Sequence, residues 1–144
     1  MRRFLTLVVF LTATIAAATA DNRPIQVDAL PNTAQHFIKK HFPQQRVVFA
    51  TIDSGMFDTD YEARLDNGTK LDFDRQGVWK EIENEHGLLP ESVIPQYALD
   101  YVKANFPGRS FVKIERDNRK VEVELNNDLE IVFDKHGKVL HIDD

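Results

Sequence analysis

The sequence contains no cysteine, and this absence excludes several kinds of site and anchor. There is no thiol nucleophile and no disulfide framework, so the stability of the fold has to come from packing. No cysteine follows the apolar N-terminal segment to carry a lipid, and we therefore expect no lipoprotein anchor.

Catalytic motifs are missing too. The chain has neither a Gly-x-Ser-x-Gly elbow nor a His-Glu-x-x-His pair. His36 and His41 are five residues apart, which places them about 140° apart around a helix, so they do not share a face. With no nucleophile–base pair and no ligand set, we predict that the chain is not an enzyme, has no catalytic residues and needs no cofactor.

Clusters of positive charge are scarce as well. The 18 Lys and Arg residues are outnumbered by 23 Asp and Glu residues, which gives a formal net charge of −5. A nucleic-acid-binding surface needs clustered Lys and Arg side chains to contact the phosphates. We therefore expect no nucleic acid partner.

The only long apolar run stands at the N-terminus. Arg2 and Arg3 precede residues 4–15, which are apolar apart from threonines, and Ala20 ends a group of small residues. This pattern predicts a secretory signal peptide over residues 1–20, because the run is too short for a stable membrane span. We expect cleavage after Ala20, no membrane association after signal removal, and a periplasmic or secreted location.

Two parts of the chain resemble each other in register. Residues 30–43 match residues 94–107 at a spacing of 64, and residues 61–77 match residues 121–137 at a spacing of 60. Similarity maintained over this length predicts an internal duplication.

Each copy is predicted to contain one helix and four strands. Ala34, Phe37, Ile38 and Phe42 follow the spacing of a half-buried helix, so we expect Phe42 and its counterpart Phe106 to be buried. A period of two then predicts strands near 46–53, 58–65, 69–74 and 77–83, and again near 110–116, 119–125, 128–134 and 137–142. Asn67-Gly68 and its counterpart Asn126-Asn127 predict two-residue hairpin turns with positive φ at both central residues.

The predicted fold is therefore α+β: a tandem repeat of one helix plus a four-stranded antiparallel meander, with two helices packed on one face of an antiparallel sheet. We divide the chain into a signal peptide (1–20), an N-terminal segment (21–29), a first repeat (30–87) and a second repeat (88–144).

Each copy has a helix that ends in Phe-Pro, followed by four strands with a Phe-Asp-x-x-Gly turn. Two such copies behind a signal peptide resemble the PepSY-like proteins. These are small exported bacterial proteins, and the resemblance covers residues 30–144. It implies a fold similar to that of the β-lactamase inhibitor protein and a role in binding or inhibiting other proteins. The shared motifs are helix stops and hairpin turns, so they bear on the fold more than on the function.

One segment has the spacing of an EF-hand calcium loop. Asp72, Asp74 and Gly77 are followed by Glu83 at the twelfth position. The flanks alternate like strands, however, and the second copy has Val132 at the position of Asp72. We interpret the segment as a hairpin turn and predict no metal site there.

The strongest functional lead is a surface. If the helices cover the face that bears Val48, Ala50 and Ile52, alternation directs Val47 and the predicted binding residues to the other face. Those binding residues are Phe49, Trp79, Phe111, Arg64 and Lys113. Aromatic rings among charges are typical of a protein-binding surface, so we expect another protein as the partner.

Three structural alternatives remain open at this point. The 21–29 segment could cover the rings, a β-bulge could shift the face assignment, or the rings could form a homodimer contact. The alternative function is a small-ligand or calcium-binding periplasmic protein.

Overall fold

The computed structural model describes residues 22–144. The predicted signal peptide lies outside the described residues, so its cleavage remains a prediction. Within the described chain, neither helix has the length and apolar composition that crossing a membrane requires.

The described chain is α+β, as predicted, with two helices and one antiparallel sheet of nine strands in chain order. The helices are α1 (Asn32–His41) and α2 (Gln96–Asn105), each preceded by a short 3₁₀ turn, Val27–Ala29 and Glu91–Val93 respectively. The strands are β1 (Asn22–Pro24), β2 (Val47–Ser54), β3 (Thr59–Leu65), β4 (Lys70–Phe73), β5 (Trp79–Glu83), β6 (Phe111–Arg116), β7 (Lys120–Leu125), β8 (Glu130–Asp134) and β9 (Val139–Asp143). All eight predicted strands are present within two residues of the expected limits, and β1 adds an edge strand that was not predicted.

Both helices begin and end in the same way. Pro31 and Pro95 precede the first helical residue with extended backbone angles. At the other end, the N–H groups of Phe42 and Phe106 donate to the carbonyls four residues earlier, and a proline follows each ring. Because proline cannot continue the hydrogen-bond ladder, the chain leaves the helix and enters the next strand.

The helices pack on one face of the sheet, which we call the inner face. A single row of apolar side chains crosses this face, each directly opposite the next in register and each no more than 2% exposed. The row consists of Ala50, Ala63, Leu71, Ile82, Ile114, Val123 and Ile131.

Aromatic rings of both helices cover this row. Phe37 of α1 packs against Phe73, and Tyr97 and Tyr101 of α2 pack against Phe133. Phe42 is buried, as expected, whereas Phe106 is only partly buried. The prediction of a buried ring is therefore confirmed for the first helix and only partly correct for the second.

Four β-bulges decide which side chains face the helices. In β2, Val47 is opposite Leu65 and Phe49 is opposite Arg64, so Val48 is an extra residue. Equivalent irregularities occur in β5, β6 and β9. Each bulge shifts the alternation of its strand by one residue.

This shift overturns part of the predicted face assignment. Val47 packs against the core while Val48 is 61% exposed, the reverse of the prediction. Trp79 lies opposite Phe73, and Phe111 lies opposite Leu125, so both rings belong to the inner face and are buried. The prediction that Trp79 and Phe111 point away from the helices is wrong.

The hairpin between β3 and β4, whose turn contains Asn67-Gly68, also differs from the prediction. Its turn has three residues, because Leu65 N–H donates to Thr69 O and Gly68 N–H donates to Leu65 O. Of the three residues in this turn, only Gly68 has positive φ, and its counterpart in the turn between β7 and β8 is Asp128 with φ of 67°. A type I turn closed by one left-handed residue has this pattern, so the two-residue turn was incorrect.

Candidate protein-binding face

The face of the sheet away from the helices, the outer face, carries a line of acidic side chains. These five residues lie on β3 to β7, each directly opposite the next, and we call them the carboxylate row: Glu62, Asp72, Glu81, Glu115 and Glu122. Directly opposed side chains in a sheet have Cβ atoms about 5 Å apart, and like charges in this arrangement are destabilising. The row therefore imposes a cost on folding.

A second row of the outer face runs alongside and contains cations. This row consists of five residues on β2 to β6, each directly opposite the next: Phe49, Arg64, Lys70, Glu83 and Lys113. Four of these residues lie two positions along their strand from a member of the carboxylate row. Phe49 lies two positions from Thr51, which is opposite Glu62. Residues two apart in a strand point to the same side, so both rows occupy the same face.

Salt bridges connect the two rows. Arg64 Nε is 2.7 Å from Glu62, Lys70 Nζ is 3.2 Å from Asp72, and Lys113 Nζ is 3.6 Å from Glu81. All three pairs are partly exposed, and such pairs each contribute roughly 0–1 kcal/mol to stability. They offset part of the repulsion within the carboxylate row.

The pKa values of Asp72 and Lys70 reflect both burial and the neighbouring carboxylates. Burial raises the pKa of Asp72, and the neighbouring Glu62 and Glu81 raise it further, against the lowering effect of Lys70. Burial acts to lower the pKa of Lys70, yet Asp72, Glu62 and Glu81 together raise it above its ordinary value. Both groups of this pair bind protons more tightly than usual, Asp72 chiefly because it is buried and Lys70 because carboxylates surround it.

A shallow cleft runs along the carboxylate row and is lined by four of its five members. Its volume is about 400 Å³ and its acidic lining residues are Asp53, Asp60, Glu62, Asp72, Glu81, Glu115 and Asp117. Lys80 and Arg116 are the basic lining residues, and Lys80 Nζ is 2.9 Å from Asp60 Oδ2. One carboxylate oxygen in the cleft, Asp53 Oδ1, is buried without a hydrogen-bond partner.

The acidic side chains and histidines of residues 22–144 bear on whether the chain could bind a metal ion. No group of three or more His, Asp or Glu side chains there is arranged to hold an ion. The segment with EF-hand spacing forms the hairpin between β4 and β5, and Asp74 Oδ1 accepts hydrogen bonds from the N–H groups of Gln76 and Val78. Asp72 and Glu83 belong to the two different rows of the outer face.

The predicted binding residues divide between the two faces. Phe49 and Arg64 are directly opposite each other on the outer face, and Phe49 is 45% exposed. Lys113 lies in the same row, three strands from Arg64 and thus about 14 Å away. Trp79 and Phe111 lie in the core, so the structure does not bring them to this surface.

Sequence reasoning missed the carboxylate row as a unit. Its members could be assigned to the outer face by alternation, but their alignment depends on the register of five strands. The bulges set that register, and no local pattern in the sequence reveals it.

Comparisons with known proteins identify the class of protein to which this α+β fold belongs. Residues 59–141 match the family described as "beta-lactamase-inhibitor-like, PepSY-like". This chain belongs to the PepSY-like family, which confirms the resemblance inferred from the sequence. A comparison with functionally curated proteins found no match.

Solved structures provide similar proteins over nearly the whole described chain. A protein of the DUF2874 family from Bacteroides vulgatus is 42% identical, with a TM-score of 0.83 over 88% of this chain and 99% of that one. A protein from Bacteroides thetaiotaomicron, assigned as calcium-regulated, is 39% identical, with a TM-score of 0.83 over 86% and 98%. A second Bacteroides vulgatus protein, of unknown function, is 37% identical, with a TM-score of 0.80 over 85% and 99%. All three are assigned to the periplasm, and we assign this chain to the same compartment, in agreement with the sequence prediction.

Proposed function

We propose that this chain is an exported, non-enzymatic binding module that engages another protein through the outer face of its sheet. The carboxylate row is the observation that supports this function most directly. It opposes folding through repulsion, the pKa of Asp72 is raised within it, and the inner face supplies the core without it. Groups that cost stability and face solvent are typical of a binding surface.

The chemistry of the row specifies a basic partner. Lys or Arg side chains of a partner would relieve the repulsion between neighbouring carboxylates, while Phe49 would supply apolar contact at the end of the adjoining row. Binding of this kind is steered electrostatically and weakens with salt. We therefore propose that the partner presents a basic patch with an apolar neighbour.

The test compares captured proteins between matched baits. The mature protein is used to capture partners from a periplasmic extract at low and high salt, beside the double variant Glu115→Gln/Glu122→Gln and the single variant Phe49→Ser. The control, Asp28→Asn/Glu91→Gln, removes the same charge from exposed positions in the two 3₁₀ turns.

A partner of the outer face should bind the wild type and the control, and should be lost with both outer-face variants and at high salt. Its affinity for the purified bait is then measured by calorimetry. Capture that is equal for all four baits would contradict the proposed surface.

We also infer that the two halves, residues 30–87 and 88–144, arose by tandem duplication. The support is geometric: the helices begin 64 residues apart, the bulges of β2 and β6 coincide at the same spacing, and those of β5 and β9 coincide at 60. Outer-face positions differ more, since Arg64 and Lys70 correspond to Glu124 and Glu130. The two halves share their bulge positions and helix starts but differ in charge on the outer face. This difference supports a binding role for the outer face.

A second candidate function is the binding of calcium or another small cation. The unpartnered Asp53 Oδ1 favours it, in a cleft whose seven acidic side chains include no group of three arranged to hold an ion. The Bacteroides thetaiotaomicron relative assigned as calcium-regulated adds to this support.

Melting temperatures separate the two functions. Under the calcium alternative, millimolar Ca²⁺ but not K⁺ raises the melting temperature, and Asp53→Asn abolishes the rise. If Asp72→Ala abolishes it while Asp53→Asn does not, the EF-hand spacing has to be reconsidered. No rise in any variant would favour the protein-binding function.

A further inference from the structure

The last strand of the sheet, β9, has an edge that no other strand occupies within residues 22–144. The apolar row of the inner face continues from Ile131 to Ile142 on this strand. Ile142 is 39% exposed, whereas the seven members before it are no more than 2% exposed. Leu140, the bulge residue of β9, is 58% exposed. The apolar core therefore reaches solvent at this edge.

The opposite edge of the sheet is protected more strongly than β9. The edge strand there, β1, has only three residues, and one of them is Pro24. Short strands and proline block the addition of further strands, because they offer few free N–H groups. The five residues of β9 include no proline.

The molecule itself shows how such an edge is covered. At the spacing of 60 residues, β5 corresponds to β9, and Ile82 corresponds to Ile142. The edge of β5 that corresponds to the open edge of β9 is paired with β6. Ile82 of β5 is opposite Ile114 of β6 there and is fully buried. In the corresponding strand β5, therefore, the isoleucine becomes fully buried because another strand pairs with that edge.

We propose that β9 pairs antiparallel with β9 of a second copy of this chain, around a two-fold axis at Ile142. In this register Ile142 is opposite Ile142 of the second copy, so the two inner apolar rows become one. His141 is then opposite Asp143 of the second copy, and Asp143 is opposite its His141. Two imidazole–carboxylate pairs form on the outer face. A two-fold contact requires a surface that complements itself in this way.

Pairing through β9 joins the two sheets and their outer faces. The carboxylate rows of both copies would then lie on one continuous surface. This inference does not depend on the proposed function, because the contact uses only the residues of β9.

Engineered cysteines test the register directly, because the native chain has no cysteine. Residues directly opposite in an antiparallel pair have Cα atoms about 4.5–5.5 Å apart, within the range for a disulfide. Ile142→Cys should therefore form a covalent dimer rapidly under mild oxidation. The control Phe57→Cys, at a position that is 91% exposed in the loop after β2, should react much more slowly.

A measurement of mass tests the dimer without any crosslink. In analytical ultracentrifugation the mature wild type should reach the mass of two copies as concentration rises. Ile142→Lys should remain monomeric, whereas Val48→Lys, which also replaces an exposed apolar strand residue, should dimerise like the wild type. Circular dichroism checks that each variant is folded.

Defined outcomes overturn the proposal. A wild type that stays monomeric to millimolar concentration, or Ile142→Cys that oxidises no faster than Phe57→Cys, excludes pairing through β9. Faster crosslinking of His141→Cys than of Ile142→Cys excludes the register. If Ile142→Lys does not fold, the cysteine comparison decides alone.

Discussion

The guanidinium of Arg116 lies over the indole of Trp79, with Cζ 3.6 Å from the ring centroid. The same side chain donates from Nε to the backbone oxygen of Trp79 at 3.1 Å. Phe37 of α1 approaches the indole as well, at 6.1 Å between centroids. Trp79 is therefore held between β6 and α1, and it links the first helix to the second half of the sheet.

Truncation of this ring should destabilise the fold strongly. We expect Trp79→Ala to lower the free energy of unfolding by about 3–5 kcal/mol, because it empties a buried aromatic site. Phe49→Ala, at an exposed position of the outer face, should change it by less than about 1 kcal/mol. Urea unfolding followed by circular dichroism measures both, since Trp79 is the only tryptophan of the chain and fluorescence would be lost with it.

The comparison of these two rings also tests the face assignment. Equal losses for both variants would mean that Phe49 belongs to the core. A small loss for Trp79→Ala would mean that its ring lies in a site that collapses without cost, contrary to its contacts with Arg116 and Phe37.

The positions of the strands could be predicted from the sequence, but the faces of two key rings could not. Strand limits depend on local signals, such as the proline after Phe42 and the glycine at position 77. The orientation of Phe111 depends on the bulge at Val112, because this extra residue reverses which face the preceding side chain of β6 points to. At the spacing of 64 residues, Phe111 corresponds to Val47 and Lys113 corresponds to Phe49. Val47 was itself predicted to lie on the outer face, so this correspondence does not reveal the bulge.

The binding surface was predictable only in part, for a related reason. Phe49, Arg64 and Lys113 were placed on the outer face by alternation. The carboxylate row depends on which residue of β5 is opposite which residue of β6, and those two strands are separated by α2 in the chain. Pairings of this range depend on tertiary packing and leave no local pattern.

The two equivalent hairpin turns provide a matched test of backbone strain. Gly68 and Asp128 occupy the same left-handed position, with φ of 87° and 67°. Such angles cost an L-residue more than glycine. We expect Asp128→Gly to raise the free energy of unfolding by about 0.5–1 kcal/mol, measured by urea unfolding.

The reverse exchange is the control for this turn. A Cβ at Gly68 would meet no atom closer than 3.8 Å, so space does not limit a substitution there. Gly68→Asp should therefore lower stability through the backbone angle alone, by about 1 kcal/mol. Changes of the same sign in both variants would show that the turns are not equivalent.

The carboxylate row should also affect how stability depends on pH. The pKa of Asp72 is raised by burial and by Glu62 and Glu81, although Lys70 opposes the shift. A carboxyl group whose pKa is raised in the folded state opposes folding when it is ionised. This penalty is absent below the ordinary pKa of about 3.8 and fully present once the pH exceeds the raised value.

Asp72→Asn should therefore be more stable than the wild type at neutral pH and equal to it near about pH 3, where Asp72 is protonated in both states. Lys70 keeps Glu62 and Glu81 as neighbours in this variant. The control is Asp134→Asn: hydrogen bonds from the N–H groups of Lys138 and His136 hold the pKa of Asp134 below its usual range, so its ionised form supports folding and the variant should lose stability at neutral pH. Urea unfolding between these pH values measures both differences. A loss of stability at neutral pH in Asp72→Asn would show that the pair with Lys70 outweighs the repulsion within the row.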